Sequence, residues 1–410
     1  MRGDKLISLL GAKSSSKKDL RTALVNSRLE VGEISYLIST NTFPSGNLLS
    51  RILDFTKLSL LELKVKCGFI DSEVLDFVSS KSEALFGDQT IDHRRAEKTI
   101  SSQQSFQPEF TTELGELYQG DCVPFLQQIE DESVDLVFAD PPFNLGKLYP
   151  SKMNDNISED KYIEWCEAWL FECVRVLKPG GSLFLWNIPR WNTILSAYLN
   201  QFLTFRHWIA TDIKYSLPIS GRLYPSHYSL LYYCKGKKPN TFSPDRMMME
   251  VCNNCYKELK DYGGYKSKMN PDGINMTDVW YDIPPVRHRK FMGRTGSNEL
   301  SLKLLDRIIE MASNPGDTVL DPFGGSGTTY VAAEIKNRRW IGVELGPLDD
   351  IIFRFNRLPD EEALIQKYRA NYNALFPDNI KRERIKRRLW TDDSFNKDKQ
   401  PIPLRLFEEI

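Results

Sequence analysis

The chain has 410 residues, 41% of them hydrophobic and 27% charged, so it has room for two or three folded domains and is not a disordered chain. Lys and Arg total 54 against 55 Asp and Glu, and this net charge of −1 excludes a uniformly basic coat protein for nucleic acid. No apolar run approaches the roughly 20 residues that span a bilayer, and we read no signal peptide at the start. Seven cysteines in such a chain predict reduced thiols in a cytosol.

Residues 1–86 carry apolar side chains at three- and four-residue spacing, which predicts a small helical domain. A break at 41–46 separates two of its helices, and this pair resembles a helix-turn-helix unit. A packing or dimer-forming role is the alternative. Residues 87–110 are polar and lack periodicity, so we expect a linker there.

From about residue 114 onward, short apolar runs alternate with helical stretches. The apolar runs are 134–139, 182–186, 318–320 and 340–343, and the helical stretches include 159–177 and 300–313. This alternation predicts an α/β fold with parallel strands, in two halves at 111–205 and 295–358. A helical, basic tail is expected over 359–410.

The charge is segregated along the chain. Residues 206–294 hold 15 basic and 8 acidic residues and three of the four histidines, although the whole chain is nearly neutral. Such a segment favours contact with nucleic-acid phosphates, and the alternative is a solvated face over core tyrosines. The candidate contact residues are Arg222, His227, Lys235, Lys237, Arg287, Arg289 and Lys290.

A first candidate site, Asp140-Pro141-Pro142-Phe143, directly follows the predicted strand 134–139. A carboxylate at the end of a parallel strand lies at the crevice where such sheets bind ligands. Two prolines fix the backbone and remove two N–H donors, so carbonyl acceptors stand beside a carboxylate acceptor. This arrangement suits an amine with two hydrogens on one nitrogen, and Phe143 offers a flat face for a base. A strand-end turn with a helix cap is the alternative.

A second candidate site, Asp321-Pro322-Phe323-Gly324-Gly325-Ser326-Gly327-Thr328, lies between a predicted strand and a predicted helix. Its glycines let a ligand approach the backbone at a helix start. A P-loop needs Lys where Thr328 stands, and the dinucleotide-binding glycine spacing is missing. Glu344 ends the next strand, where a carboxylate can accept from ribose hydroxyls. The loop therefore suits a nucleoside ligand without a pyrophosphate.

A C-x-x-C pair at Cys252 and Cys255 has the spacing of half a zinc ribbon. The sequence holds no second pair of this kind, so a loop turn without metal is the favoured interpretation.

Together these motifs resemble the amino-group DNA methyltransferases that use S-adenosylmethionine, over about residues 114–358. The resemblance implies a Rossmann-like class I methyltransferase sheet, circularly permuted as in the β group, because the tetrad precedes the cofactor loop. It implies that Asp140 to Phe143 form the catalytic motif and that residues 321–328 and Glu344 bind the cofactor. Asp121 and Cys122 match the residues that contact the cofactor adenine in this family.

The resemblance also implies a function and partners. An Asp-Pro-Pro-Phe tetrad favours methylation of adenine N6 in double-stranded DNA by base flipping, with cytosine N4 as the alternative. Segment 206–294 would be the target-recognition domain of an enzyme in a restriction-modification or epigenetic system. A cognate restriction endonuclease and a second copy of the chain are the candidate partners, in a prokaryotic cytoplasm. The rival functions are methylation of RNA or of a protein amide, and DNA-binding regulation by an inactive fold.

Overall fold

The computed structural model describes residues 3–25, 27–40, 42–81, 106–146, 156–213, 220–221, 223–257, 270–284, 299–370 and 372–394. The chain divides into two compact units, Met1–Gln103 and Gln104–Ile410. Within the described ranges, no helix combines the length and the apolar character that crossing a membrane requires.

The first unit is helical, as its apolar spacing predicts. Its described helices are α1 (Gly3–Leu9), α2 (Lys17–Ala23), α3 (Val31–Thr40), α4 (Gly46–Thr56), α5 (Leu60–Lys66) and α6 (Ser72–Ser80). The apolar faces of α1 to α5 share one core that includes Leu20, Ile34 and Ile52. The helix-turn-helix role of α3 and α4 stays a prediction.

The second unit contains every strand that lies within the described ranges. They are β1 (Pro108–Thr111), β2 (Gly115–Gln119), β3 (Val134–Ala139), β4 (Leu177–Asn187), β5 (Thr204–Asp212), β6 (His227–Cys234), β7 (Arg246–Met247), β8 (Ile274–Asn275), β9 (Val279–Trp280), β10 (Thr318–Asp321) and β11 (Arg339–Glu344). Nine of them form one sheet in the order β1-β2-β11-β10-β3-β4-β6-β5-β9. The central strands β2, β11, β10, β3 and β4 are parallel, and β6 is antiparallel to β4 and β5.

Helices cover both faces of this sheet and bury two apolar cores. One core lies under α7 (Cys122–Leu126), α8 (Glu159–Val176) and α9 (Pro189–Leu199). The other lies under α10 (Leu302–Ala312), α11 (Thr328–Ile335), α12 (Asp349–Phe355) and α13 (Leu358–Arg369). Strands β10 and β11 come last along the chain but lie in the middle of the sheet, which confirms the predicted permuted α/β fold.

Two predicted boundaries differ from the structure. The predicted linker 87–110 ends too late, because 108–110 form β1 and Phe110 packs against Phe355; residues 87–105 lie outside the described ranges. The predicted insertion begins too early, because residues 206–212 belong to β5 and residues 227–234 form β6. Tyr228 and Tyr232 of β6 are 8% and 1% exposed, so these tyrosines belong to the core.

The predicted tail is also folded in its described part. Helix α13 packs against α10 and α11, and a further helix, α14 (Asp378–Lys386), follows it. Arg369 of α13 forms an ion pair with the buried Asp306 of α10 at 3.0 Å. The segment up to residue 394 is therefore part of the second unit, and 395–410 lie outside the described residues.

Gly342 of β11 provides a test of this packing. A Cβ atom there would lie 2.4 Å from Cζ of the buried Tyr330, so Gly342→Ala forces a shift of that ring. We expect a loss of about 1–3 kcal/mol in the free energy of unfolding, as is usual for overpacked cores. Urea denaturation monitored by tryptophan fluorescence measures this free energy for the second unit, because all eight tryptophans lie there.

The matched control is Gly32→Ala in α3, where nothing lies within 4 Å of the added methyl group. It should leave the tryptophan transition where it is in the wild type. An unchanged midpoint for Gly342→Ala would contradict the described contact between β11 and Tyr330.

Candidate active site at the carboxyl edge of the sheet

The two predicted motifs meet at one edge of the sheet. Strands β3 and β10 are parallel neighbours, with Val319 opposite Leu136 and Leu320 opposite Val137. Asp140 directly follows β3, and the glycine-rich loop directly follows β10. Because the carboxyl ends of parallel strands open onto the same edge, the tetrad and the loop are neighbours. About 180 residues separate them along the chain.

Hydrogen bonds fix the backbone of the tetrad at its last two carbonyls. Tyr162 Oη donates to the Pro142 carbonyl at 2.6 Å, and Trp191 Nε1 donates to the Phe143 carbonyl at 2.7 Å. Among the residues that the structure describes, no donor occupies the Pro141 carbonyl. This carbonyl therefore keeps its acceptor capacity beside the half-buried carboxylate of Asp140.

A buried polar network supports Tyr162 from behind. Asn187, at the end of β4, donates from Nδ2 to Tyr162 Oη at 3.3 Å. Ser229 of β6 donates to the Asn187 carbonyl at 3.0 Å, and Asn192 Nδ2 donates to Ser229 Oγ at 2.7 Å. Asn187, Asn192 and Ser229 are fully buried. A buried network of this kind holds its members in one arrangement, so it makes the tetrad backbone rigid.

The ring of Phe143 does not present the open face that the sequence analysis expects. It is 7% exposed and lies 6.0 Å from the ring of Tyr228, which in turn lies 5.0 Å from the ring of Trp186. An apolar ring at a strand end is more stable when it packs against other aromatic rings than in water. In this conformation Phe143 is thus part of the core beside the tetrad.

The glycine-rich loop turns back on β10 through left-handed backbone. Gly325 and Gly327 have φ values of +53° and +76°, which favour glycine. The Gly324 N–H donates to the Val343 carbonyl at 2.9 Å, and the Gly327 N–H donates to the Gly324 carbonyl at 2.7 Å. These bonds close the loop tightly at the start of α11.

Asp321 shapes this loop from inside. It is 3% exposed, and its carboxyl accepts hydrogen bonds from the Phe323 N–H at 2.9 Å and from Thr329 Oγ1 at 2.5 Å. Burial raises the pKa of Asp321 to about 7. Pro322 beside it is buried, and Phe323 packs edge-on against Trp169. The structure therefore gives Asp321 a loop-shaping position rather than an open one.

Glu344, at the end of β11, ties three strand ends together. Its Oε2 accepts from the Gly325 N–H and its Oε1 from the Gly346 N–H, both at 2.7 Å. Its carbonyl accepts from the Gly120 N–H at 3.0 Å, which joins it to the end of β2. Each carboxylate oxygen has a second lone pair, so Glu344 can still accept from a ligand hydroxyl.

Asp121 and Cys122 follow β2 at the same edge. The exposed Asp121 carboxylate accepts from the Val123 N–H at 2.9 Å and so caps α7. The Cys122 side chain points into the core, and burial raises the pKa of its thiol well above the usual value. Only the backbone of Cys122 is therefore placed to meet a ligand.

Arg354 of α12 is a site residue that the sequence analysis missed. Its Nη1 donates to the Ser326 carbonyl at 3.2 Å and to Thr328 Oγ1 at 2.7 Å. Ion pairs with Glu299 at 3.2 Å and Glu361 at 2.8 Å hold the guanidinium in place. No motif marks this arginine in the sequence, because its partners lie 26 or more residues away or on the next helix.

The predicted DNA contacts fall at different edges of the sheet. His227 begins β6 opposite Asp212 and lies at the carboxyl edge. Lys235 follows the other end of β6, since Cys234 pairs with Ser182 at the beginning of the parallel part of β4. Lys237 is exposed in the turn that follows. Both lysines therefore lie at the edge opposite the tetrad, which disfavours contact with a base bound there.

Lys235 has a structural explanation. Its Nζ donates to the carbonyls of Val174 and Leu177 at 3.1 and 2.7 Å, where α8 ends, and pairs with Glu132 at 3.2 Å. A cation at a helix carboxyl end is stabilised by the carbonyls there. The other predicted contacts, Arg222, Arg287, Arg289 and Lys290, lie outside the described residues.

Cys252 and Cys255 are half-buried in a turn after β7. Within the described part of the chain, no group of three or more His, Cys, Asp or Glu side chains is arranged to hold a metal ion.

Comparison with known proteins gives one consistent family. A model of the DNA methylase family, N6_N4_Mtase, matches residues 134–348, just over half of the chain and both motifs. The type II methyltransferase M.BamHI of Bacillus amyloliquefaciens is 44% identical over 93% of this chain and 90% of its own. The DNA adenine methyltransferase YhdJ of Escherichia coli (strain K12) is 34% identical over 58% of this chain and 80% of its own.

Among solved structures, the PvuII DNA methyltransferase (cytosine-N4-specific) matches 64% of this chain and 96% of its own at 19% identity and a TM-score of 0.46. Because the family model spans more than half of the chain and M.BamHI aligns along nearly all of it, the chain belongs to the family of N6 and N4 DNA methylases, whose methyl donor is S-adenosylmethionine.

Proposed function

We propose that this chain transfers the methyl group of S-adenosylmethionine to an exocyclic amino group of a base in double-stranded DNA. The observation that carries the proposal is the parallel pairing of β3 with β10, which sets the Asp140–Pro141 acceptors beside the glycine-rich loop. The family match supports the reaction class, and the tetrad supplies the chemistry.

The side chains at this edge of the sheet suit a ligand that carries an adenosyl group and a positively charged sulfonium. Asp121, Glu344 and Asp140 lie at the carboxyl ends of β2, β11 and β3, so carboxylates line an edge that would receive a cation. Gly324, Gly325 and Gly327 leave three positions of the intervening loop without side chains. Glu344 would hold the ribose hydroxyls, and Asp121 with the Cys122 backbone would hold the adenine. The bound donor supplies an electrophilic methyl group.

The protein's own part in the reaction is orientation and charge stabilisation. The lone pair of an exocyclic amine is delocalised into the base, so the amine is a weak nucleophile. Hydrogen bonds from its two hydrogens to the Asp140 carboxylate and the Pro141 carbonyl would favour a tetrahedral nitrogen with its lone pair directed at the methyl group. Asp140 would also stabilise the positive charge that develops on nitrogen. The base must leave the duplex to reach these acceptors, at a cost of a few kcal/mol.

Adenine N6 is the base that the sequence prediction favours, and YhdJ is an adenine methyltransferase by name. Cytosine N4 presents the same two hydrogens to the same two acceptors, so the tetrad chemistry serves both amines. We therefore propose an exocyclic amine as the methyl acceptor, and identification of the methylated nucleoside will show which base carries it.

The biological setting follows from the relatives. M.BamHI and M.HpaI are type II methyltransferases by name, which supports a role in a restriction-modification system. We propose a cognate endonuclease as the functional partner and the bacterial cytoplasm, where the DNA lies, as the compartment. Pairing of two copies of the chain stays a prediction.

The test is transfer of a labelled methyl group from S-adenosylmethionine to duplex DNA, RNA and protein, with mass spectrometry of the nucleosides. The wild type should label DNA alone and give one methylated amino base, N6-methyladenine or N4-methylcytosine. Asp140→Ala removes one of the two amine acceptors and should lower the transfer rate by at least about a hundredfold. Its affinity for the cofactor should survive, because Glu344 and the loop remain. Normal turnover by this variant would refute the assignment of Asp140.

Tyr162→Phe tests the positioning of the tetrad. It removes the hydrogen bond to the Pro142 carbonyl, worth about 0.5–1.5 kcal/mol, and should lower kcat about three- to tenfold while KM for the cofactor stays constant. Steady-state kinetics with DNA separate these two parameters. Tyr233→Phe is the matched control, since Tyr233 Oη bonds Asn200 and the Ser196 carbonyl of α9 instead. Equal effects of the two variants on kcat would contradict a specific role for Tyr162.

A further inference from the structure

A small apolar cluster stands apart from the two cores of the sheet. Its buried members are Met249, Leu375, Phe376 and Ile380, with Val251, Tyr256, Ile274 and Trp390 packed around them. It joins residues 246–257 and 270–276, from the predicted target-recognition segment, to residues 372–394 at the far end of the chain. We call these three segments the C-terminal module.

Backbone hydrogen bonds hold the module together. The Met249 N–H donates to the Leu375 carbonyl at 2.9 Å, and the Asn373 N–H donates to the Arg246 carbonyl at 3.0 Å. The Arg246 N–H donates to Asn373 Oδ1 at 3.0 Å. The predicted tail is therefore built into the predicted recognition segment.

Arg384 in α14 and Arg387, directly after this helix, donate hydrogen bonds to the C-x-x-C turn and the residue that follows it. The buried Arg384 donates from Nη1 to the Tyr256 carbonyl and lies 4.6 Å from the ring of Phe376. Arg387 donates to the Cys255 carbonyl at 3.1 Å and lies 4.7 Å from the ring of Tyr256. Hydrogen bonds from guanidinium groups to backbone carbonyls thus hold this turn in place. The sequence analysis considered a zinc ion at the two cysteines of the same turn.

The residues of α14 and of its carboxyl end that face away from the apolar cluster are mainly basic. Residues 378–388 contain six basic and two acidic residues. Arg382 of α14 and Arg388, two residues beyond the end of this helix, are exposed, and neither forms a salt bridge within the described residues. Arg382 donates from Nε to the Asp378 carbonyl at 3.2 Å. Lys381, in contrast, pairs with Asp392 and Asp393.

We propose that the exposed basic residues of α14 and of its carboxyl end contact the phosphate backbone of the DNA substrate, so that the target-recognition module includes the C-terminal segment. This inference rests on the proposed function, since the DNA is the substrate proposed above. Residues 246–257 and 270–276 of the module add two basic and two acidic residues, so the positive charge that favours a polyanion as the partner comes from residues 378–388. Exposed arginines without an ion-pair partner in the described part of the chain suit phosphate contacts, which position a protein on DNA without reading its sequence.

The test compares the double variant Arg382→Gln/Arg388→Gln with the wild type in binding to a fluorescent duplex of about 25 base pairs. The logarithm of the binding constant is measured against the logarithm of the salt concentration by anisotropy. Each lost phosphate contact should reduce the slope by roughly 0.9, so the double variant should lose up to about 1.8 and bind several times more weakly at 0.1 M salt.

The matched control is Lys237→Gln/Lys238→Gln, which removes the same charge from exposed positions at the edge opposite the tetrad. Its slope should equal that of the wild type. An unchanged slope for the α14 variant, or an equal drop in both variants, would overturn the proposal; an unchanged slope would leave an acidic protein as the partner of this face.

Methyl transfer by the wild type is measured in parallel. If the wild type methylates DNA and the α14 variant keeps its slope, only the present inference fails. If the wild type does not methylate DNA, the proposed function fails instead. The tryptophan fluorescence spectrum of the variant should equal that of the wild type. Because Trp390 belongs to the module, this result verifies that the module remains folded.

Discussion

The parallel pairing of β3 with β10 is the constraint on which the site depends. It fixes the tetrad beside the glycine-rich loop, although the chain crosses most of the second unit between them. Strand β11 extends the same edge, because Glu344 accepts from Gly325 and its carbonyl accepts from Gly120. Three strand ends are thereby locked into one rigid rim.

Rigidity behind the rim is as important as the residues on it. On one side, the buried network through Asn187 and Tyr162 occupies the Pro142 carbonyl. On the other side, Asp321 and Arg354 hold the loop from inside and from α12. Such preorganisation lets a weak nucleophile react, because the acceptors are in place before charge develops. Burial that raises the pKa of Asp321 to about 7 also lowers the negative charge beneath the loop near neutral pH.

The sequence was sufficient for the features that depend on local pattern. The strand over 134–139 lies where its apolar run predicts it, and the motif order implies the observed permutation. Contacts between distant residues left no such pattern. Tyr162 donates to a backbone carbonyl that any residue would supply, and the partners of Arg354 lie on other segments of the chain, so no local pattern in the sequence marks these contacts.

The charge of segment 206–294 shows the limit of composition as evidence. The net charge of this segment is an average over two different regions. One contains strands of the sheet and Lys235, which holds the end of α8. The other belongs to a module whose second part lies at the far end of the chain. Phe143 shows a similar limit, since an aromatic residue beside a site can be a stacking surface or a core residue. Only its 7% exposure and its contact with Tyr228 identify it as core here.

A crystal structure with S-adenosylhomocysteine, the demethylated product, tests the central claim most directly. The account predicts that the sulfur lies between the Gly324–Gly327 turn and the Asp140 carboxylate, with the ribose hydroxyls on Glu344. A sulfur that lies farther from Asp140 than the width of a nucleobase would contradict it, because no amine held by Asp140 could then reach the methyl group.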